Sequence, residues 1–238
     1  MNIYNRHLIY VFLIPALIFL WPGCKDKQSS TQEVVPPENK QTNAIEMSAD
    51  DSMKTILCFG NSLTAGYGLE EDEAWPALLK ERLDSLGYNY DVINAGLSGE
   101  TSSGGLNRLD WVLNRPVDIF ILELGANDML RGLDVSNTRE NLDKIIDLTK
   151  SKNEKLSVLI AGMMSPPNMG PDYEKAFNKI YPDLAKKHDA ALIPFFLNNV
   201  AAVDTLNLPD GKHPNAEGQK VVLENVWASL NELLVRPE

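Results

Sequence analysis

Three short segments of small and polar residues each follow an apolar run in this sequence. They are Gly60-Asn-Ser-Leu63, the glycine- and serine-rich stretch from Gly96 to Gly105, and Gly125-Ala-Asn-Asp128. Side chains of these types can attack an ester, bind a phosphate or simply form turns. If the apolar runs are strands of one parallel sheet, all three segments lie at its carboxyl edge, where such sheets place their ligands. The sequence therefore predicts one functional site built from three loops.

Ser62 follows the apolar run 55–59 within a segment that also contains Gly60, Gly66 and Gly68. Three interpretations are open at this point. Ser62 can be a nucleophile, the glycine turn can cradle a phosphate, or the serine can cap a helix. The segment contains neither the dinucleotide-binding glycine pattern nor the P-loop pattern, so no known phosphate-binding motif supports the phosphate interpretation.

A serine nucleophile needs a base, and the sequence contains three histidines. His7 lies in an apolar leader. His188 ends a predicted helix, where we expect a solvated side chain that is favourable to the helix dipole. His213 follows Asp210 by three residues across a glycine turn, so the carboxylate can reach and orient the imidazole. The alternative is that Asp210 forms a turn and His213 enters a helix.

Strand-like and helix-like patterns alternate from Lys54 to the end of the chain. We predict strands at 55–59, 90–94, 117–124, 156–161 and 191–196, and helices at 74–83, 106–113, 138–150, 172–188 and 215–234. Alternation of this kind indicates βαβ units with helices on both faces of a parallel sheet. The predicted fold is a single α/β domain, a three-layer α/β/α sandwich with a flavodoxin-like sheet, over residues 52–236.

The front of the chain has the pattern of an export signal. Arg6 is followed by an apolar run from Leu8 to Leu20, which is shorter than a membrane span of about 20 residues. The run ends in Trp-Pro-Gly-Cys24, which resembles a lipobox, so we predict a signal peptide at 1–23 and a lipidated Cys24. Ordinary cleavage or an uncleaved anchor are the alternatives. Residues 24–51 are polar and predict a flexible tether that would hold the domain in the periplasm or at the cell surface.

Composition narrows the classes of partner. A net charge of −11 argues against nucleic acid, because phosphate binding needs clustered Lys and Arg. Cys58, inside the first predicted strand, has no intramolecular partner once Cys24 is lipidated, and we expect a small core residue. No group of His, Cys and carboxylate residues has the spacing of metal ligands, so we expect neither a metal nor a cofactor.

Taken together, the motifs resemble those of the SGNH (GDSL-type) hydrolase family. The matching blocks are Gly60-Asn-Ser-Leu63, Gly99, Gly125-Ala-Asn127 and Asp210-x-x-His213, and they occur in the family's order. Most similar is the bacterial arylesterase, acyl-thioesterase and lysophospholipase branch, which the chain resembles over nearly all of 55–234. The resemblance implies the SGNH hydrolase fold and hydrolysis of small acyl-ester or lipid-like substrates.

The resemblance also implies a role for each matching residue. Ser62 would be the nucleophile, His213 its base and Asp210 the acid that orients the base. The oxyanion hole would consist of the backbone N–H groups of Ser62 and Gly99 and the side-chain amide of Asn127. Gly99 would let the backbone approach the substrate, and Asn127 would supply a neutral donor for developing negative charge.

The chain departs from the family pattern at Asn61, where the first block usually has Asp. An amide keeps the shape of a carboxylate and loses its charge, so we expect activity to survive with an altered pH profile. The loop 163–170 contains three methionines and would either line an acyl chain or form a plain crossover. Other functions left open are a carbohydrate O-acetylesterase, a flavodoxin-like binding domain, and an inactive surface lipoprotein that binds glycans or lipids.

Overall fold

The structure is a computed structural model that describes residues 53–236. The predicted signal peptide, lipidated Cys24 and tether lie outside the described residues. Five parallel strands form one sheet in the order β2-β1-β3-β4-β5. The predicted α/β fold with a parallel sheet is therefore confirmed. The strands are β1 (Lys54–Gly60), β2 (Tyr90–Gly96), β3 (Ile119–Glu123), β4 (Ser157–Ala161) and β5 (Ala191–Ile193).

Helices fill the connections between the strands. In the described part of the chain they are α1 (Ser62–Ala65), α2 (Trp75–Ser85), α3 (Ser102–Val112), α4 (Ala126–Leu130), α5 (Val135–Lys152), α6 (Pro171–Asn178), α7 (Ile180–His188) and α8 (Ala216–Leu230). Helix α2 packs with α8, whereas α3 packs with α5, which also contacts α6 and α7. Right-handed crossovers place these two groups on opposite faces of the sheet and produce the three layers. No helix among residues 53–236 is long and apolar enough to cross a membrane.

Two predicted elements are shorter or divided because of proline. The predicted helix 172–188 is interrupted at Lys179, because Pro182 has no N–H to donate to the carbonyl of Asn178, the last residue of α6. The predicted strand 191–196 ends at Ile193, because Pro194 cannot contribute a ladder hydrogen bond. The remaining helix starts differ from prediction by a few residues, as is usual at fraying ends.

Three of these starts have a capping side chain, those of α3, α5 and α8, and in α8 the Asn215 side chain accepts from Gly218 N at 3.0 Å. Helix α3 begins at Ser102, four residues before the predicted 106, because the hydroxyl of Thr101 accepts from Gly104 N at 3.2 Å. Helix α5 begins at Val135, where the Asp134 carboxylate accepts from Ser136 N at 2.7 Å. A polar residue at the N-cap satisfies an N–H that the helix itself cannot, so it fixes where the helix starts.

The core lies on both faces of the three central strands. Every residue of β3 is buried, and so is each apolar residue of β1 from Ile56 to Phe59. Cys58 is fully buried as predicted, and burial raises the pKa of its thiol far above the ordinary range. The strand order reverses between β1 and β3, which makes the carboxyl ends of these two strands the switch point where doubly wound sheets place their ligands. Ser62 follows one of them and Asn127 the other.

Candidate active site

Ser62 is the first residue of α1, on a tight turn that leaves β1. Gly60 makes the turn possible, because a Cβ there would lie 2.1 Å from the Thr64 hydroxyl and 2.5 Å from a Glu123 oxygen. Asn61 caps the helix, its side-chain oxygen accepting from Leu63 N at 2.9 Å. The Ser62 N–H is at the start of the helix and has no acceptor within it. Ser62 itself is nearly buried, at 7% exposure.

His213 and Asp210 lie in the turn that precedes α8. The Asp210 carboxylate is 2.6 Å from Nδ1 of His213 and also accepts from the backbone N–H groups of Lys212 and His213, at 2.9 and 3.1 Å. The hydrogen bond from the imidazole, followed by the two backbone bonds, lowers the pKa of Asp210 to about 2. An ionised carboxylate at this place assigns the hydrogen to Nδ1 and leaves Nε2 as an acceptor.

The fold brings this pair to the serine. Nε2 of His213 is 2.9 Å from Oγ of Ser62, although 151 residues separate them in the sequence. The ring of Tyr67 packs on the imidazole with the ring centroids 4.5 Å apart. Helix α8 is tied to the serine turn by Gln219, which accepts from Trp75 N at 3.1 Å and donates to Leu63 O at 3.5 Å. The hydroxyl, imidazole and carboxylate form one continuous chain of hydrogen bonds.

Gly99 lies in the loop after β2 and Asn127 lies in α4, just after β3, and hydrogen bonds connect the two segments. Nδ2 of Asn127 donates to the Glu100 carbonyl at 2.9 Å, which uses one of its two hydrogens. The Asp128 carboxylate accepts from the N–H and the hydroxyl of Ser102, at 2.8 and 2.5 Å. Gly99 has a φ of +80°, a left-handed conformation that favours glycine. No acceptor is found among the described residues for its N–H.

A second connection joins the Gly99 loop to the serine turn. The guanidinium of Arg108 is paired with the carboxylate of Glu100 at 2.5 Å and donates to the Ala95 carbonyl at 2.8 Å and the Gly60 carbonyl at 3.4 Å. Leu97 N donates to the same Gly60 carbonyl at 2.9 Å. The loops after β1, β2 and β3 therefore meet at one edge of the sheet, as the sequence predicted.

Glu123, the last residue of β3, is a buried group that the sequence analysis did not select. It is 0% exposed, and its carboxyl group accepts from the serine turn at Asn61 and Thr64. Burial raises its pKa to about 8 against the lowering effect of these donors. A single acidic residue at the end of an otherwise apolar strand was the only available signal.

His188 is not the solvated residue that the sequence predicted. Its side chain is buried at 8% exposure, because α7 packs it against α5, where Nε2 is 2.6 Å from Asp143 and Nδ1 is 3.6 Å from Asp147. The three groups lie close enough to hold a metal ion, although the sequence spacing gave no sign of it. Lys187 also pairs with Asp143, at 2.6 Å, so the carboxylate of Asp143 already has a cationic partner in the protein.

Comparison with known proteins identifies the family. A model of the GDSL-like Lipase/Acylhydrolase family matches residues 58–221. Esterase TesA of Pseudomonas aeruginosa is 42% identical over 183 residues, which span 76% of this chain and 90% of that protein. Thioesterase 1/protease 1/lysophospholipase L1 of Escherichia coli K12 is 38% identical over 181 residues, which span 76% of this chain and 85% of that protein. An arylesterase of Vibrio mimicus is 37% identical over 183 residues, with 76% and 90% covered.

Solved structures of esterases also match this chain. The crystal structure of TesA matches with a TM-score of 0.72 and 41% identity, covering 76% of this chain and 100% of that chain. The structure of AlinE4, described as an SGNH-hydrolase family esterase, matches with a TM-score of 0.63 and 42% identity, covering 77% and 98%. These relatives are hydrolases, and they give no support to the flavodoxin-like binding domain. The chain belongs to the GDSL-like lipase/acylhydrolase family, the SGNH hydrolases, and is a carboxylic ester hydrolase.

Proposed function

We propose that this protein cleaves carboxylic esters through an acyl-enzyme formed on Ser62. The observation that carries the proposal is the hydrogen-bonded chain from Ser62 Oγ to His213 Nε2, 2.9 Å, and from His213 Nδ1 to Asp210, 2.6 Å. A hydroxyl becomes a nucleophile when an adjacent base takes its proton, and the carboxylate stabilises the imidazolium that results.

The proposed cycle has two halves. Oγ of Ser62 attacks the ester carbonyl while Nε2 of His213 takes the hydroxyl proton. The tetrahedral intermediate then releases the alcohol, to which His213 returns the proton, and the acyl group stays on Ser62. In the second half His213 deprotonates a water molecule, which attacks the acyl carbonyl. The carboxylic acid leaves and Ser62 regains its proton.

The oxyanion of each intermediate would be bound by the N–H groups of Ser62 and Gly99 and by the second hydrogen of the Asn127 amide. The support is that Asn127 is held by Glu100, while the Ser62 N–H begins a helix and the Gly99 N–H has no acceptor in the described residues. Donors that are already oriented stabilise charge without reorganisation during the reaction.

For the substrate we propose small acyl esters, acyl thioesters or lipid-like esters, because the relatives are named esterase, arylesterase and thioesterase/lysophospholipase. Exposed Tyr67 and Leu97 adjoin His213 and the Gly99 loop, and they provide apolar surface for an acyl group. Loop 163–170 is less suited than its three methionines suggest. Met163 is buried in the core, and Asn178 holds the backbone N–H of Ser165 at 2.7 Å.

The decisive experiment is hydrolysis of a panel of p-nitrophenyl esters from acetyl to palmitoyl, together with an acyl thioester, by the wild-type protein and Ser62→Ala. We expect the variant to lose activity by several orders of magnitude, and exposed Ser151→Ala, a matched control on α5, to keep it. Undiminished hydrolysis by Ser62→Ala would refute the mechanism. A sharp preference for acetyl esters would instead favour the deacetylase alternative.

We also propose that the protein is exported and anchored through a lipid on Cys24. The support is the sequence alone, a basic start, a short apolar run and a cysteine after glycine. Metabolic labelling with a palmitate analogue in a bacterial host tests it. Label should be lost in Cys24→Ala and kept in Cys58→Ala, because the second cysteine is buried in β1. Label that persists in Cys24→Ala would exclude the anchor.

A further inference from the structure

The turn that carries Ser62 rests on a buried carboxyl group, that of Glu123. One oxygen of this group accepts from the side-chain amide of Asn61 at 2.7 Å, and the other accepts from the Asn61 backbone N–H at 3.0 Å and the Thr64 hydroxyl at 2.8 Å. Both partner residues lie within two positions of Ser62. Among the described residues, the Glu123 carboxyl group is therefore hydrogen-bonded only to the turn that carries Ser62.

This arrangement decides which way the Asn61 amide points. The Glu123 oxygen that faces the amide accepts from it, so the NH₂ end of the amide lies against Glu123. The oxygen end is then turned toward the Leu63 N–H, at 2.9 Å, and toward the Ser62 hydroxyl, at 3.4 Å. The hydroxyl of Ser62 thus lies between two acceptors, the nearer His213 Nε2 and the more distant Asn61 oxygen. A neutral amide oxygen competes with the imidazole for the hydroxyl proton less than a carboxylate would.

The usual family residue at position 61, Asp, would create a different situation. Two carboxyl groups would face each other across the 2.7 Å contact, and two acids at that distance share one proton. The pair could hold the turn only while that proton is present. The N–H of Asn61 occupies the same place and cannot ionise.

We propose that Glu123 is a positioning residue that acts on Ser62 through Asn61. The amide N–H of Asn61 provides the hydrogen of the contact with Glu123. In an Asp–Glu pair, that hydrogen would have to be a proton shared by the two acids. The proposal rests on the proposed role of Ser62 as nucleophile. It also accounts for Asn61 in place of the family's usual Asp, since asparagine has the shape of a protonated aspartic acid and cannot ionise.

Other charged and titratable groups near Glu123 are occupied by different partners. Tyr181 of α7 donates to the Leu124 carbonyl at 3.1 Å, and Arg108 of α3 is paired with Glu100. Asp128 of α4 accepts from Ser102, and His213 faces Ser62 and Asp210. None of them donates to the Glu123 carboxyl group. Among the described residues, only a substitution of Glu123 can therefore restore the hydrogen bond that a substitution of Asn61 removes.

The test is an exchange of the two polar groups. In Glu123→Gln, the NH₂ of the new amide would meet either the NH₂ of Asn61 or its backbone N–H, so we expect kcat to fall about 10- to 100-fold with little change in KM. In Asn61→Asp, we expect a new loss of activity at alkaline pH, where the pair loses its shared proton. In the double variant Asn61→Asp/Glu123→Gln, the carboxylate and the amide have changed places and are complementary again. We expect kcat to recover and the alkaline loss to disappear.

The measurements are kcat and KM for p-nitrophenyl butyrate from pH 6 to 10, with circular dichroism to verify folding and exposed Glu140→Gln as the matched control. If Glu123→Gln does not fold, the pH profiles of Asn61→Asp and the double variant carry the test. An Asn61→Asp profile identical to that of the wild type, or no recovery in the double variant, would overturn the proposal. Labelling with a fluorophosphonate separates the two hypotheses. If the wild-type protein is labelled at Ser62, the proposed function stands regardless of how these variants behave. If the wild-type protein neither hydrolyses esters nor is labelled, the proposed function itself is refuted.

Discussion

The carboxylate of Asp210 and the imidazole of His213 are bonded at 2.6 Å within a single turn, three residues apart. The turn also supplies both backbone N–H groups that the carboxylate accepts, and Leu208 N closes it by donating to the His213 carbonyl at 2.7 Å. The proposed acid and base are therefore oriented by local structure. The fold only has to bring this turn to Ser62.

Removing the charge of Asp210 should disable the base while the turn survives. We expect Asp210→Asn to lower kcat by about 10²- to 10⁴-fold, because an amide can donate to Nδ1 and so favours the wrong tautomer of His213. Steady-state hydrolysis of p-nitrophenyl butyrate measures the effect. The nearby exposed Asp204→Asn is the control, and a kcat for Asp210→Asn within threefold of wild type would contradict the assignment.

Asn127 should matter for kcat far more than for KM. Truncation to alanine removes a donor whose second hydrogen is free for an oxyanion, and losing one such donor costs about 10²- to 10³-fold in turnover. The comparison uses Asn127→Ala against Asn137→Ala, an exposed asparagine in α5. A rise in KM at constant kcat would assign Asn127 to substrate binding instead.

The buried Glu123 should make the protein less stable as the pH rises. Its pKa is about 8 in the folded protein against an ordinary value of 4.5, so between these values the folded state keeps a proton that the unfolded state has lost. The contribution of Glu123 to the free energy of unfolding is therefore fully present below about pH 4.5. It is lost as the pH rises to about 8, and the loss is at most a few kcal/mol. Urea unfolding at pH 5 and 8 should show a smaller decrease for Glu123→Gln than for the wild type. Equal decreases would contradict the raised pKa.

The cluster of Asp143, Asp147 and His188 should stabilise the fold without affecting catalysis. Asp143→Asn removes the negative charge and one of the two acceptor oxygens that the buried imidazole and Lys187 share, and we expect a loss of about 1–3 kcal/mol in unfolding free energy with unchanged kcat. Burial raises the pKa of Asp143, but the hydrogen bonds from Lys187 and His188 outweigh it and hold this pKa below its usual value, so the contribution exists above that usual value and is lost in acid. Thermal unfolding with and without EDTA distinguishes ion pairs from a metal site, since only a bound metal would make the chelator destabilising.

The residues of the active-site edge could be predicted because each carries a local signal. Ser62 follows an apolar run, Asp210 and His213 share a turn, and Asn127 follows the strand next to that of Ser62. The sheet itself follows from alternating patterns, and Pro182 and Pro194 explain where the predicted elements were wrong.

Glu123 and His188 could not be assigned, because their partners are distant in sequence. Asn61 lies 62 residues from Glu123 and Asp143 lies 45 from His188. A single acid at the end of an apolar strand and a histidine at a helix end look the same whether they are solvated or buried. Only the packing of β3 under the serine turn, and of α7 on α5, decides between these environments.

The separation of Ser62 and His213 along the chain has a consequence for how this enzyme gains activity. Ser62, the proposed nucleophile, lies near the start of the described residues. His213, its proposed base, lies just before α8, and Gln219 of that helix donates to Leu63 O in the Ser62 turn. A chain that lacks its last quarter contains Ser62 but neither His213 nor the helix whose Gln219 bonds the Ser62 turn. Under the proposed mechanism, ester hydrolysis requires that both segments are present and docked. During refolding it should return with the docking of α8 and not with the earlier recovery of helical signal.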